Sequence, residues 1–217
     1  MKFAFYVSNN ATRLKKFFDI YQKHNIIKNI AFVLIDNLEN QELKEKCNFL
    51  DIDYYEISLL DKKNKNQYLS DIFLDKLEKY GVKYGFVFAD KILVGNLLKY
   101  YNNRLINFHP SILPAHKGLY AIDKALKEKT FLLGNTAHFI TKEIDKGAVI
   151  MQNIFPAHNF INYSDILDNQ IIMLLQIMVW IKENRLKVDE YKGDIFIKDA
   201  SYKVSDFIPN IEIDIWQ

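Results

Sequence analysis

Apolar and polar positions in the first hundred residues follow two patterns. Short, nearly continuous apolar runs at Lys2 to Val7, Ile30 to Ile35, Tyr54 to Ile57, Phe86 to Ala89 and Leu105 to Phe108 read as buried strands. Between them, apolar residues recur at helical spacing. Leu14, Phe17, Phe18 and Tyr21 make one such face. Gln41 to Phe49 reads as a second helix. Leu69, Ile72, Phe73, Leu77 and Tyr80 mark a third over Tyr68 to Tyr80, closed by Gly81. Ile92 to Tyr101 reads as a further helix, and Ser8, Asn9, Asn10 and Thr12 offer N-caps for the first. Strand–helix repetition with short connections predicts an α/β fold, a doubly wound and mostly parallel twisted sheet covered on both faces. Such sheets bind ligands at the carboxyl ends of their strands, near the point where strand order reverses.

The pattern changes after residue 110. Pro110 and Pro114 bracket a turn, and Lys117 to Lys129 reads as a helix. Asn135 to Ile140 and Ala148 to Phe155 read as strands flanking the loop Thr141 to Gly147. Ser164 is placed to cap a long helix running to Asn184, and Tyr191 to Gln217 alternates enough for short strands. The expected organisation is one catalytic domain over 1–188 with a short, strand-rich C-terminal extension over 189–217 packed on it. The polar run Lys62 to Gln67 reads as a solvated loop.

Composition narrows the function classes. Of 217 residues, 49% are hydrophobic and 26% charged, which excludes a disordered chain. Lys+Arg number 29 and Asp+Glu 27, so charge gives no reason to expect nucleic acid or a membrane surface as partner. Cys47 is the only cysteine, which excludes a disulfide framework and a cysteine zinc site. No His, Cys, Asp or Glu cluster has ligand spacing, so no metal is expected. An aromatic share of 14% suggests a core built on rings. The N-terminal apolar run is too short for a signal peptide, and Ile171 to Ile181 is too short to span a bilayer. The expectation is a cytoplasmic protein acting on small molecules. A nucleotide-binding glycine fingerprint and a P-loop are both absent.

The segment Leu105 to Gly118, LINFHPSILPAHKG, carries the chemistry. Asn107 and His109 are two apart at the end of an apolar strand, so period-two alternation puts both on one face. Histidine holds or delivers a proton near neutral pH, and an asparagine amide can donate to a developing oxyanion. Together they suit acyl transfer through a tetrahedral intermediate. The spacing alone fits a capped strand end with a buried histidine equally well. Asp145 and Gly147 lie in a tight loop, where a carboxylate can orient a histidine or relay a proton through water.

In combination, Asn107-Phe108-His109-Pro110-Ser111-Ile112-Leu113-Pro114, Lys117-Gly118, Thr136-Ala137-His138-Phe139 and Asp145-Lys146-Gly147 resemble the folate-dependent formyltransferases, nearest the glycinamide ribonucleotide formyltransferase branch. The resemblance extends weakly over nearly the whole chain, to Trp180 and Arg185-Leu186-Lys187. It implies the formyltransferase fold, with 10-formyltetrahydrofolate as formyl donor. It also implies that Asn107 bonds the formyl oxygen, that His109 stabilises the oxyanion and helps move a proton, and that Asp145 interacts with His109 and an ordered water. The pterin pocket would use backbone of Phe88, Ala89, Asp90, Lys91, Ile92 and Leu93, and of Ile140, Thr141, Lys142 and Glu143. His138 is read as structural or supporting. His24 and His158 receive no role.

The acceptor side departs from the family. The purine-pathway branch cradles its substrate's phosphate in a glycine-rich loop, Ser-Gly-x-Gly-Ser-Asn. Here the loop is Ser8-Asn9-Asn10-Ala11-Thr12-Arg13, so Asn9 and Ala11 replace both glycines. That branch also carries a glutamate in the long helix where this chain has Gln170. Acceptor-binding candidates are Asn10, Ala11, Thr12, Arg13, Gln170 and His116. The expectation is formyl transfer to a nucleotide-linked amino sugar for surface polysaccharide. Glycinamide ribonucleotide in purine synthesis is the alternative. A formyltetrahydrofolate hydrolase ranks lower, because such relatives usually carry an N-terminal regulatory domain and this chain begins at the first strand. A non-catalytic folate-binding protein also ranks lower. The aromatic-rich tail suits either a homodimer surface or additional core.

Overall fold

A computed structural model of the chain describes residues 1–159, 162–189 and 193–213. Two compact units span Met1–Asn107 and Phe108–Gln217. The first contains β1 (Phe3–Val7), α1 (Thr12–Tyr21), β2 (Ile30–Ile35), α2 (Gln41–Phe49), β3 (Asp53–Glu56), α3 (Lys65–Lys79), β4 (Tyr84–Phe88) and α4 (Asn96–Tyr100). Strand β5 (Leu105–His109) joins it to the second. There follow α5 (Ala121–Lys127), β6 (Leu132–Phe139), β7 (Val149–Pro156), α6 (Tyr163–Lys182), β8 (Leu186–Val188), β9 (Ile195–Ile197) and β10 (Phe207–Ile208).

Eight strands hydrogen-bond in the order β10-β7-β6-β5-β4-β1-β2-β3, with β8 and β9 as a separate ribbon. The pairings β1–β2, β1–β4, β2–β3 and β4–β5 are parallel, while β6–β7 and β7–β10 are antiparallel. The expected α/β sheet is therefore present, and its strand order reverses between β1 and β4.

The core of the first unit is aromatic. Phe5 stacks on Phe86 with centroids 5.4 Å apart, and Phe32 meets Phe73 edge-on at 6.0 Å. Leu14, Phe17, Phe18 and Tyr21 of α1 are all buried, as their spacing predicts. In the second unit, α6 is long and apolar enough by composition to cross a membrane, and 61% of its most apolar stretch is buried inside the fold. Its Gln170 donates to Asn135 Oδ1 at 2.7 Å, and Asn135 donates to Asn153 Oδ1 at 2.8 Å.

Several boundaries differ from the expectation, each for a local reason. Asn64 accepts from Gln67 N at 3.2 Å, so α3 starts at Lys65, inside the supposed polar loop. The helix expected over Ile92 to Tyr101 shrinks to α4, because Gly95 takes φ +70° and Val94 N bonds Ser70 Oγ at 2.9 Å. Positive φ at Gly118 and Tyr120 delays α5 to Ala121. Helix α6 is capped by Asn162 and not by Ser164: Asn162 Oδ1 accepts from Ser164 N, and Asp165 accepts from Asn162 N, both at 2.8 Å. None of the offered side chains caps α1; its N-cap is Ala11 in the left-handed region. In the tail, β9 and β10 supply short strands. The expectation's residues Tyr191, Lys192 and 214–217 lie outside the described residues.

Candidate active site

Strand β5 ends at His109, where Pro110 removes the next ladder donor. Asn107 is half-buried on the same strand, in register with Val87 of β4. The side chains of His109, Asp145 and His138 are only 7%, 8% and 3% exposed. His109 Nδ1 lies 3.4 Å from Asp145 Oδ2, and His138 Nε2 lies 3.5 Å from Asp145 Oδ1. Gly118 N donates to Asp145 Oδ2 at 2.8 Å, and His109 Nε2 bonds the backbone oxygen of His116 at 2.9 Å.

Two loops hold this arrangement. In the β6–β7 loop, Phe139 N bonds Ala148 O at 3.0 Å. A Cβ on Gly147 would lie 1.7 Å from Phe139 O, so only glycine fits there. Asp145 takes φ +52°. The loop after β5 is pinned by Thr136, whose hydroxyl donates to Ser111 O at 2.7 Å and accepts from Leu113 N at 3.0 Å. Gln152 donates to Leu113 O at 3.0 Å. These bonds fix the loop that presents the His116 carbonyl and the Gly118 amide.

The electrostatics follow from the contacts. Burial alone would raise the Asp145 carboxyl. The contact with protonated His138, the Gly118 hydrogen bond and the charge on the histidines outweigh it and hold the group at about 2. Burial lowers the His109 pKa, against the pull of the His116 carbonyl and of Asp145. A buried carboxylate thus stays ionised beside an imidazole that charges reluctantly. Among the described residues no group of three His, Cys, Asp or Glu side chains could hold a metal ion.

The candidates of the first unit gather at the ends of β1 and β4. Ser8 N donates to Phe88 O at 3.2 Å, and Ser8 Oγ accepts from Asp90 N at 3.3 Å. This joins the Asn10–Arg13 loop to the Phe88–Leu93 segment. The Arg13 guanidinium sits 4.6 Å from the Phe88 ring centroid, and burial lowers its pKa to about 10. Phe88 and Leu93 are buried, Ala89 and Lys91 half-buried, and Asp90 and Ile92 exposed. Lys91 pairs with Asp90 at 3.0 Å. Asn9 and Ala11, which replace the family's glycines, both keep positive φ, at 55° and 50°. Asn10 and Thr12 are exposed.

In the second unit Ile140 and Thr141 are half-buried, and Lys142 and Glu143 exposed. Gln170 is fully buried against Asn135. His116 meets His109 through its carbonyl, while its ring lies 3.6 Å from Glu128. Two contributors to the site were not foreseen, the Gly118 amide and the His116 carbonyl. His138, read as structural or supporting, is a second partner of Asp145.

A family model described as formyl transferase matches residues 1–168. The chain is 28% identical over 200 residues to a formyltetrahydrofolate deformylase of Bacillus subtilis, covering 89% of this chain and 64% of that protein. It is 33% identical over 104 residues to the phosphoribosylglycinamide formyltransferase of Escherichia coli, covering 46% of this chain and 49% of that one. The match to a human trifunctional purine biosynthetic protein covers 30% of this chain and 6% of that protein. The chain thus spans less than two thirds of the curated relatives it matches. Among solved structures, glycinamide ribonucleotide transformylase 1 from Symbiobacterium toebii superposes with a TM-score of 0.79 at 23% identity, over 92% of this chain and 94% of that one. With a family model covering most of its length and a shared fold, this chain belongs to the formyl transferase family.

Proposed function

We propose that the chain transfers a formyl group from 10-formyltetrahydrofolate to the primary amine of a nucleotide-linked amino sugar. The observation that carries formyl transfer is the buried His109–Asp145 pair at the end of β5, two residues beyond Asn107. The amine nitrogen attacks the formyl carbon, and charge collects on the formyl oxygen. The Asn107 amide and a His109 N–H stabilise that charge. The carbon–N10 bond then breaks, and the proton lost by the amine ends on N10. Asp145 holds the His109 ring and favours its charged form. Backbone of Phe88–Leu93 and Ile140–Glu143 is proposed to hold the pterin.

For the acceptor, the loop at Asn9–Arg13 keeps its left-handed turns at the N-terminus of α1, which suits a phosphate-bearing molecule. Gln170 is neutral and committed to Asn135, so no carboxylate is offered where the purine-pathway branch has one. This favours the nucleotide-linked sugar. The second reading is a hydrolase with water as acceptor, and the identity shared with the Bacillus deformylase across most of the chain favours it.

One assay separates these outcomes. The protein is given 10-formyltetrahydrofolate with nucleotide-linked 3- and 4-amino sugars, with glycinamide ribonucleotide, and with no acceptor. Formylation of a sugar is expected. Efficient formylation of glycinamide ribonucleotide alone would refute the sugar, and equal formate release in every arm would mean hydrolysis.

A further inference from the structure

His138 is a buried titratable group that the proposed chemistry leaves unused. Its Nδ1 bonds the backbone oxygen of Phe139 at 2.9 Å, as His109 Nε2 bonds that of His116. A carbonyl oxygen only accepts, so each contact fixes a proton on the ring nitrogen that faces away from Asp145. The nitrogens that face Asp145, His109 Nδ1 and His138 Nε2, carry hydrogen only if the ring is doubly protonated. With both rings neutral, two lone pairs would face one buried carboxylate. A single added proton, on either ring, turns one of those contacts into a charge-assisted hydrogen bond.

We infer that His138 and His109 are two seats for one proton held at Asp145, so that His138 sets how readily His109 charges. His138 is a positioning residue that acts through the carboxylate. The groups bearing on His109 are few. Charge on His138 and on Lys124 of α5 disfavours its charged form, Asp145 favours it, and the His116 ring is turned to Glu128. With the proton on His138, His109 is neutral and keeps only its Nε2 hydrogen, on the His116 carbonyl. The inference takes its purpose from the proposed chemistry, but its test does not require turnover.

The test is an NMR titration of ring-labelled histidines in the wild-type protein and in His138→Gln, whose amide can still donate to Asp145 but takes no proton. In the wild type, His109 and His138 should titrate together in two steps, each visible at both rings. In His138→Gln, His109 should titrate in one step, with a midpoint higher by about one pH unit, the scale at which coupled sites separate. The acid limb of kcat should move up with it. Independent single-step titration of the two rings in the wild type would overturn the inference, and so would an unchanged His109 midpoint in the folded variant. The wild-type comparison stands even if the variant fails to fold. A protein that titrates as expected but transfers no formyl group would refute the proposed function and leave the shared proton intact.

Discussion

The His109 ring is held on both sides, by a backbone oxygen at 2.9 Å and a carboxylate at 3.4 Å, so its orientation is set before any substrate arrives. Such preorganisation lets a donor act on a developing charge without reorganising. Replacing Asn107 or His109 by alanine should lower kcat by about 10²- to 10³-fold, the usual cost of one oxyanion donor. Steady-state kinetics checks this, with intact folding confirmed by circular dichroism. A loss confined to KM would mean the residue only binds. Asn107, His109 and Asp145 stood out because the signal lies in side-chain type, and the structure brings His109 and Asp145 to 3.4 Å. The Gly118 amide and the His116 carbonyl did not, because every residue owns such groups and only the folded loop aims them. His116, an acceptor-side candidate, also bonds His109 through its backbone oxygen.

At the scale of elements, the strands and amphipathic helices were readable from period alone, and two helix starts were misread where the backbone takes positive φ. Gly95, Gly118 and Tyr120 shortened two helices that hydrophobic spacing had extended. The caps of α1 and α6 were misassigned because polar residues cluster in sequence at both starts, and only geometry decides which, if any, caps. Asn162→Ala removes the side chain that caps α6 and should cost about 1 kcal/mol, read by denaturant titration. Gly147→Ala should be far more damaging. Its Cβ would lie 1.7 Å from Phe139 O, backbone that cannot yield without opening the β6–β7 turn. Thermal melting should show a marked fall, whereas Gly193→Ala, with open space around it, should show only the smaller strain of its φ of +72°.

For the molecule as a whole, the same cluster governs acid stability. Asp145 sits at about 2, below the ordinary carboxylate value, so its contribution is present above about pH 4 and lost as pH falls towards 2. That difference corresponds to about 2 kcal/mol. The His109 pKa is also lowered, so the unfolded chain takes that proton first, and stability declines as pH drops below about 6.5. Melting temperatures across this range should fall in both windows. Asp145→Asn should flatten the lower window, and an unchanged slope there would show that the carboxylate does not drive it. Fold class was legible at this scale because a near-continuous apolar run needs cover on both faces. The division at residue 107 was not, since β5 runs through it without a linker.

The bond from His109 Nε2 to the His116 carbonyl has a consequence for selectivity in time. That carbonyl is a placeholder. A neutral formyl oxygen taking its position would exchange one uncharged acceptor for another and gain almost nothing. An oxygen that has become negative gains the full difference between a neutral and a charge-assisted hydrogen bond. On the proposed chemistry, His109 therefore rests against an acceptor weak enough to yield only to an oxygen that has become charged.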